Sequence, residues 1–262
     1  MNPTKTKYIV FRPKSKKCDF SDKVVAINGT ILNQIGTTFN DQTTKFLGIY
    51  MDEHLTWKHH LDHINIKISR ALFIINRVKN FLPVESLRTL YFALIHPFLS
   101  YGITIWGNAS PSYLHKTFNL QKRAVRIINK AMYNSHTDPL FKKSEILKLS
   151  DLYEHQAALF MNDYVMARLP KSFNELFMFN CDIQETYLTR QSSLLKIERC
   201  DSAFSAKCPI YTFPGIWNRW TSIVPNFTSR GHYKNELKRH LLSSYAATIK
   251  CTNPFCTDCQ LR

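Results

Sequence analysis

Three groups of side chains in this sequence have types and spacings that could do chemistry. His59 and His63 stand four residues apart with His60 and Asp62 between them, so on a helix two imidazoles would share one turn, as metal sites require. No Glu lies beside them to act as a base, and a solvated polar face at a helix start accounts for the same pattern. Asp52-Glu53-His54 could also hold a metal, although two acids and a His are ordinary at a hairpin turn. Near the C-terminus, Cys251-x4-Cys256-x2-Cys259 has knuckle-like spacing, with His240 as a conceivable fourth ligand for tetrahedral zinc. Three ligands alone close no structural zinc site.

The negatives narrow the chemistry further. The chain has seven glycines, and they form neither a P-loop nor a dinucleotide G-x-G-x-x-G, and no G-x-S-x-G elbow is present. Nucleotide hydrolysis and serine esterase chemistry lose support. The positive signal is charge: 35 Lys and Arg against 19 Asp and Glu leave +16, which favours phosphate backbones or anionic surfaces as partners. Lys122, Arg126 and Lys130 recur every four residues with Arg123 beside them, the repeat that a phosphate backbone needs from a rigid surface.

The elements that must position these groups can be read in order. A composition that is 44% hydrophobic over 262 residues suffices for one good core or two modest ones. Met1–Lys17 carries six basic residues and no acid around the β-type run Tyr8-Ile9-Val10-Phe11. Val24 to Ile27 is a second such run, with an Asn28-Gly29 turn before Ile31, and Phe46 to Tyr50 is a third, ahead of a turn at Asp52-Glu53. Three or four strands are thus expected before residue 55, too little sheet to stand alone and prone to aggregate through an exposed edge.

From Thr56 the period becomes helical. Leu61, Ile64, Ile68, Leu72, Ile75 and then Phe81 or Leu82 follow one side, while Lys58, Lys67, Arg70, Arg77 and Lys79 are mostly displayed elsewhere. Leu87 to Trp106 is the most apolar stretch and its length raises a membrane span. Leu87, Leu90, Tyr91, Leu94, Ile95 and Phe98 nevertheless form one face, and Pro97 and Gly102 bend or end the helix, so it reads as a core helix. Ser110-Pro111 starts a third helix, with an apolar stripe through Leu120, Ala124, Ile127, Ile128 and Ala131. Asp138-Pro139 starts a short one through Leu147, and Ser150 caps a longer one running to about Leu169. Lys171 to Arg199 reads as irregular, and Trp217 and Trp220 as a small aromatic mini-core. Tyr233, Leu237, Leu241, Leu242 and Tyr245 make the apolar side of a last helix. Seven cysteines without a signal peptide point to a reducing compartment, intracellular, either nuclear or cytoplasmic, so the sequons at Asn28, Asn108 and Asn226 are chance matches.

Three strings, FLGIYMDEHLTWKHHL, ALIHPFLSYGITIWG and LQKRAVRIINKA, resemble the C-terminal part of the reverse transcriptase of non-LTR retrotransposons of the jockey and related LINE groups. The resemblance runs from Asn2 to about Tyr245: Asn2-x-x-Lys5-Thr6, Lys45-Phe46-Leu47-Gly48, Leu55-Thr56-Trp57-Lys58, Pro97-x-x-x-Tyr101, Trp106-Gly107, Gln121-Lys122-Arg123-Ala124-x-Arg126, Thr189-Arg190, Gly215-Ile216-Trp217-Asn218 and Leu237-Lys238-x-x-Leu241-Leu242. It implies that Lys5 follows the catalytic hairpin of the palm, that Phe46, Leu47 and Gly48 support the primer end, and that the helices from Thr56 form a thumb around a template–primer duplex. In the family, palm aspartates hold magnesium; they would precede Met1, no Tyr-x-Asp-Asp occurs here, and fingers and endonuclease are missing.

The expected fold is α+β, mainly α. Residues 1–55 form a residual palm edge of short antiparallel strands, and 56–169 a helical thumb-like bundle in which Leu87 to Trp106 is the central helix. A partly irregular extension at 170–249 and a cysteine tail at 250–262 follow. The expected function is a truncated RNA-directed DNA polymerase remnant that binds RNA or an RNA/DNA duplex through Lys5, Lys58, Lys67, Arg70, Lys122, Arg123, Arg126 and Lys130, with no catalytic residue of its own. Its partners would be nucleic acid and the missing palm and fingers, which could restore an enzyme if supplied by another chain, and not a membrane. The alternative is a non-catalytic basic helical protein-interaction module.

Overall fold

In the computed structural model, residues 2, 6–15, 25–36, 42–182, 192–202, 204–224 and 229–245 are described. The chain is mainly helical behind a short β region, the expected α+β class. The strands are β1 (Lys7–Ile9), β2 (Ala26–Ile27), β3 (Thr30–Ile31), β4 (Asn33–Ile35), β5 (Thr43–Phe46) and β6 (Ile49–Asp52). Two of the three ladders are antiparallel hairpins, β2–β3 and β5–β6, and the third, β1–β4, is parallel, with Tyr8 opposite Gln34. Asn28 and Gly29, with φ of 50° and 77°, close β2–β3 as the Asn-Gly pair predicts. The run Phe46 to Tyr50 is not one strand. It folds back at Leu47-Gly48, where φ values of 45° and 85° give the two-residue turn whose twist matches paired strands.

The helices are α1 (Lys58–Val78), α2 (Val84–Leu94), α3 (His96–Ser100), α4 (Ile103–Trp106), α5 (Pro111–Ile128), α6 (Asp138–Lys143), α7 (Leu149–Val165), α8 (Pro209–Thr221) and α9 (Arg230–Ser244). Leu61, Ile64, Ile68, Leu72 and Ile75 of α1 are buried as their spacing requires. After them Leu82 packs on the core and Phe81 faces solvent. Leu87 to Trp106 is not one helix: it breaks at Ile95 and again at Tyr101-Gly102. Its buried line runs Leu87, Tyr91, Ile95, Leu99, Ile103 and Trp106, so Phe98 leaves the core face. The stretch packs against α1, α5 and α7, and α1 packs along α5 beside it. A buried hydrogen bond from the Thr117 hydroxyl to Asn65 Oδ1, 2.8 Å, fixes the α1–α5 register. Gln121 Nε2 donates to Tyr91 Oη at 3.0 Å and to the Leu147 carbonyl at 2.9 Å, tying α5 to α2 and to the strap before α7.

Several helix boundaries differ from the sequence reading. Helix α6 stops at Lys143 because Glu145 takes a positive φ and Ile146 and Leu147 extend into the core. Lys148 occupies the N-cap position of α7, and Ser150 lies inside its first turn, bonded to Asp151. That helix ends at Val165, before Pro170, with Ala167 in the left-handed region. Trp217 and Trp220 are no separate mini-core: they lie on α8, which packs along α7 within the same hydrophobic core as α1, α5 and α9. Pro214-Gly215 inside α8 hides that helix from a propensity reading. Among the described residues, no helix is long and apolar enough to cross a membrane.

Candidate nucleic-acid interface

Of the two acids that looked like metal ligands, Asp52 is occupied in starting α1 and Glu53 in an ion pair. Asp52, 8% exposed, accepts hydrogen bonds at Oδ1 from the Thr56 and Trp57 amides, 2.9 and 3.3 Å, and at Oδ2 from the His54 amide, 3.3 Å. The ordinary capping position is held by Trp57, which has a φ of 62° and no capping side chain, so Asp52 takes over that task from five residues upstream. Glu53 pairs with Arg12, Nε to Oε2 3.1 Å, and the His54 ring lies between the Glu53 carboxylate and the Arg12 carbonyl. Among the described residues no group of three or more His, Cys, Asp or Glu could hold a metal ion. Lys5, Thr189-Arg190 and the zinc candidates Cys251, Cys256 and Cys259 lie outside the described residues.

The three neighbouring histidines have three different surroundings. His59 is exposed on α1. His63 sits against Tyr50 of the β5–β6 hairpin, ring centroids 4.9 Å apart, and burial, Lys67 and Lys45 push its pKa below the usual range. His60 is not on a solvated face. It is buried beside Trp106, and burial, aided by His63, pushes it down to about 4.

The outward stripe of α1 interleaves cations with apolar side chains. His59, Ile66, Arg70, Phe73 and Arg77 follow one another at helical spacing and all are exposed. The Arg77 guanidinium lies 5.2 Å from the centre of the Phe73 ring. Lys116 of α5 joins Ile66, Ser69, Arg70, Phe73 and Ile74 in lining a hollow of about 560 Å³ on this surface. Lys58, Lys67, Arg70 and Lys116 have no acidic partner at salt-bridge distance among the described residues. Beside the stripe stands the hairpin tip. Phe46 and Leu47 are 60% and 75% exposed, and the Tyr101 hydroxyl donates to the Leu47 carbonyl, clasping the tip to the body. Leu47 thus combines a positive φ with a side chain in solvent, which neither packing nor backbone preference favours.

The second basic group divides. On α5, Lys116 and Arg123 are seven residues apart and share a flank, whereas Lys122 and Arg126 lie on another. Lys122 Nζ sits 4.5 Å from the centre of the Phe118 ring. Arg126 Nε donates to the Ser135 carbonyl at 2.9 Å, and burial lowers its pKa. Lys130 follows the helix at a φ of 52° and is exposed. The four-residue repeat is thus real along the chain but does not present one row of free cations. Sequence reasoning missed Lys116 and Tyr101. Lys116 is the charge that ends the long uncharged run after Arg88, whereas the role of Tyr101 depends on a contact 54 residues away.

No family model matches the chain, and no solved structure matches it. The chain is nonetheless similar to reverse transcriptases of the non-LTR, LINE-like class. Over 165 residues, 62% of this chain, it is 26% identical to the RNA-directed DNA polymerase from mobile element jockey of Drosophila melanogaster. Over 130 residues, 48% of this chain, it is 25% identical to the corresponding polymerase of Drosophila funebris. The matched stretches span 17% and 14% of the length of those two relatives. The chain is therefore reverse-transcriptase-related, as the motifs around Leu47-Gly48, Pro97 to Tyr101 and Gln121 to Arg126 imply.

Proposed function

We propose that this chain holds a template–primer duplex, RNA or RNA/DNA, as the hairpin and thumb portion of an RNA-directed DNA polymerase. The observation that carries the reading is the outward face of α1. Its cations, with Lys116, have no acidic partners among the described residues and alternate with exposed apolar side chains beside the protruding tip Phe46-Leu47-Gly48. Phosphates would meet Lys58, Lys67, Arg70 and Lys116, with Arg123 and Lys130 extending the field along α5, and the tip would support the primer end. Lys122 and Arg126 would contribute charge from positions already engaged with Phe118 and Ser135. Two-metal phosphoryl transfer needs a carboxylate group for magnesium, which the resemblance assigns to the palm. By this reading the chain binds duplex and does not extend a primer unless another polymerase segment supplies the palm.

Gel-shift titration of a primer–template duplex across salt concentrations tests it. Replacing Lys67, Arg70 and Lys116 by Ala should reduce the salt slope by about 0.7–0.9 for each phosphate that is no longer neutralised. Unchanged affinity and slope would refute the assignment. Primer extension, alone and with the palm segment supplied, tests the catalytic half. The exposed Ile66, Phe73 and Ile74 favour a second reading, a protein-docking face; partner retention insensitive to nuclease and salt would select it.

A further inference from the structure

Where the segment after β1, the base of the β5–β6 hairpin, the start of α5 and the start of α8 come together, a groove of about 690 Å³ opens. Phe11, Trp57, Tyr113 and Phe204 are among its walls, and Lys14 and Lys207 line it as well. Hydrogen bonds hold the separate segments in place. The Arg12 amide, next to Phe11, donates to the Glu53 carbonyl at 2.9 Å, and Asn108, between α4 and α5, donates through Nδ2 to the Lys207 carbonyl at 3.4 Å. Phe11 is 46% exposed and Tyr113 and Phe204 are half-buried, so three of the rings keep surface that solvent reaches. Trp57 is the most buried of the four.

The charge of the groove narrows the class of occupant. Lys14 and Lys207 are exposed and have no acidic partner at salt-bridge distance among the described residues. Among those residues no carboxylate lines the groove. Asp52 and Glu53, the acids of the adjoining hairpin base, are taken up by the start of α1 and by Arg12 and His54. An occupant must therefore bring negative charge as well as flat apolar surface. An apolar peptide would leave both ammonium groups unmatched, and a free phosphate would leave the rings unused. A single nucleic-acid strand carries a phosphate and a planar ring at every residue. The volume is that of a small-ligand site, so it admits unstacked bases and not a duplex.

The groove also adjoins the face proposed to hold the duplex. Trp57 immediately precedes Lys58, and Tyr113 lies one turn before Lys116 on the same flank of α5. We propose that the groove receives an unpaired strand where it leaves the duplex, with its bases against Phe11, Tyr113 and Phe204 and its phosphates toward Lys14 and Lys207. The proposal rests on the reading that the chain holds a duplex across α1 and the hairpin tip. The duplex would then end near the start of α1, and one strand would turn off it into the groove.

The full chain is titrated by fluorescence anisotropy with a blunt duplex, with the same duplex bearing unpaired thymidines at its 3′ or its 5′ end, and with oligothymidylate alone. An overhang of one polarity should tighten binding about tenfold over the blunt duplex, the effect of one or two stacked bases. Phe11→Ala with Phe204→Ala should abolish that gain. Lys14→Ala with Lys207→Ala should lower the salt slope of the overhang duplex by about 0.7 for each phosphate no longer neutralised. The blunt duplex should keep its affinity within about twofold in both variants. In the natural chain, 5-iodouracil in the overhang should photo-crosslink to the segments that carry Phe11, Tyr113 or Phe204, a readout that stands if a variant does not fold. Equal affinity for the blunt and both overhang duplexes, a gain indifferent to the ring variants, or crosslinks confined to α1 would overturn the groove even where the duplex binds. Oligothymidylate that binds and crosslinks in the groove, without duplex binding, leaves the groove and removes the duplex reading.

Discussion

Lowering the pH from 7 to 5 should weaken this fold through two buried histidines. His60 on α1 and His155 on α7 are 2% and 3% exposed. Burial pushes both to about 4; His63 adds to the effect at His60, and at His155 the hydrogen bond to the Lys234 carbonyl opposes it while Lys234, Lys238 and His96 reinforce it. In the unfolded chain each ring takes up a proton near 6.5, whereas the folded chain refuses it until about 4. The stabilisation is therefore fully present above about pH 6.5 and is lost as the pH falls toward 4. At pH 5 the unequal proton uptake amounts to about 2 kcal/mol for each ring, about 4 kcal/mol together. That is a large share of the ~5–15 kcal/mol by which a typical domain is stable. Urea midpoints at pH 7, 6 and 5 measure it, for the natural sequence and for His60→Leu with His155→Leu. The natural chain should lose stability steeply, and the double variant, though weaker at pH 7, should lose less than half as much. An equal loss in both proteins would show that other groups carry the acid sensitivity and that these rings are not held neutral.

Other predictions concern the joints of the fold. Asp52→Ala removes the acceptor that starts α1 and should cost about 1–2 kcal/mol in thermal unfolding; a change below about 0.3 kcal/mol would mean that the Trp57 turn holds by itself. Thr117→Val leaves Asn65 Oδ1 buried without a donor, for about 1–3 kcal/mol, and adding Asn65→Leu should recover part of that in a double-mutant cycle. A Cβ at Gly107 would lie 2.5 Å from the Ile103 carbonyl and 2.6 Å from Tyr153 Cδ2, so Gly107→Ala should cost about 2–3 kcal/mol or more. Gly29→Ala meets no atom within 4 Å and bears only the strain of its φ of 77°, about 1–2 kcal/mol; equal losses at the two glycines would contradict the packing at α4.

The apolar period along α1 placed its buried face correctly, because a long helix against one core has a single way to satisfy Leu61, Ile64, Ile68, Leu72 and Ile75. The Asn28-Gly29 turn was legible for a similar reason, since its chemistry is local. Leu47-Gly48 was not, because leucine is a poor resident of a turn with two positive φ values and the surrounding apolar run reads as continuous strand. Phe98 and Leu99 exchanged roles because the break at Ile95 rotates the following turn, a shift that no period of 3.6 anticipates. The histidine group shows the sharpest limit. Adjacent spacing cannot tell that His60 turns toward Trp106 while His59 faces water. At the site, the cations were visible individually. Their division between the flanks of α5, and the coming together of Lys45, His63, Lys67 and Tyr101 around the hairpin, were not, since those neighbours are set by tertiary packing.

The β5–β6 hairpin is fastened to the helices at both ends, by Asp52 at its base and by the Tyr101 hydroxyl on the Leu47 carbonyl at its tip. In mechanical terms it is a lever welded to the bundle and not a flap of the sheet before it. The joint that the change of period near Thr56 suggests is thus bridged from both sides, by the Asp52 bonds and by the clasp at the tip. The first strand reaches the same lever through the backbone and side-chain pairing of Arg12 with Glu53 and through the His54 ring on the Arg12 carbonyl.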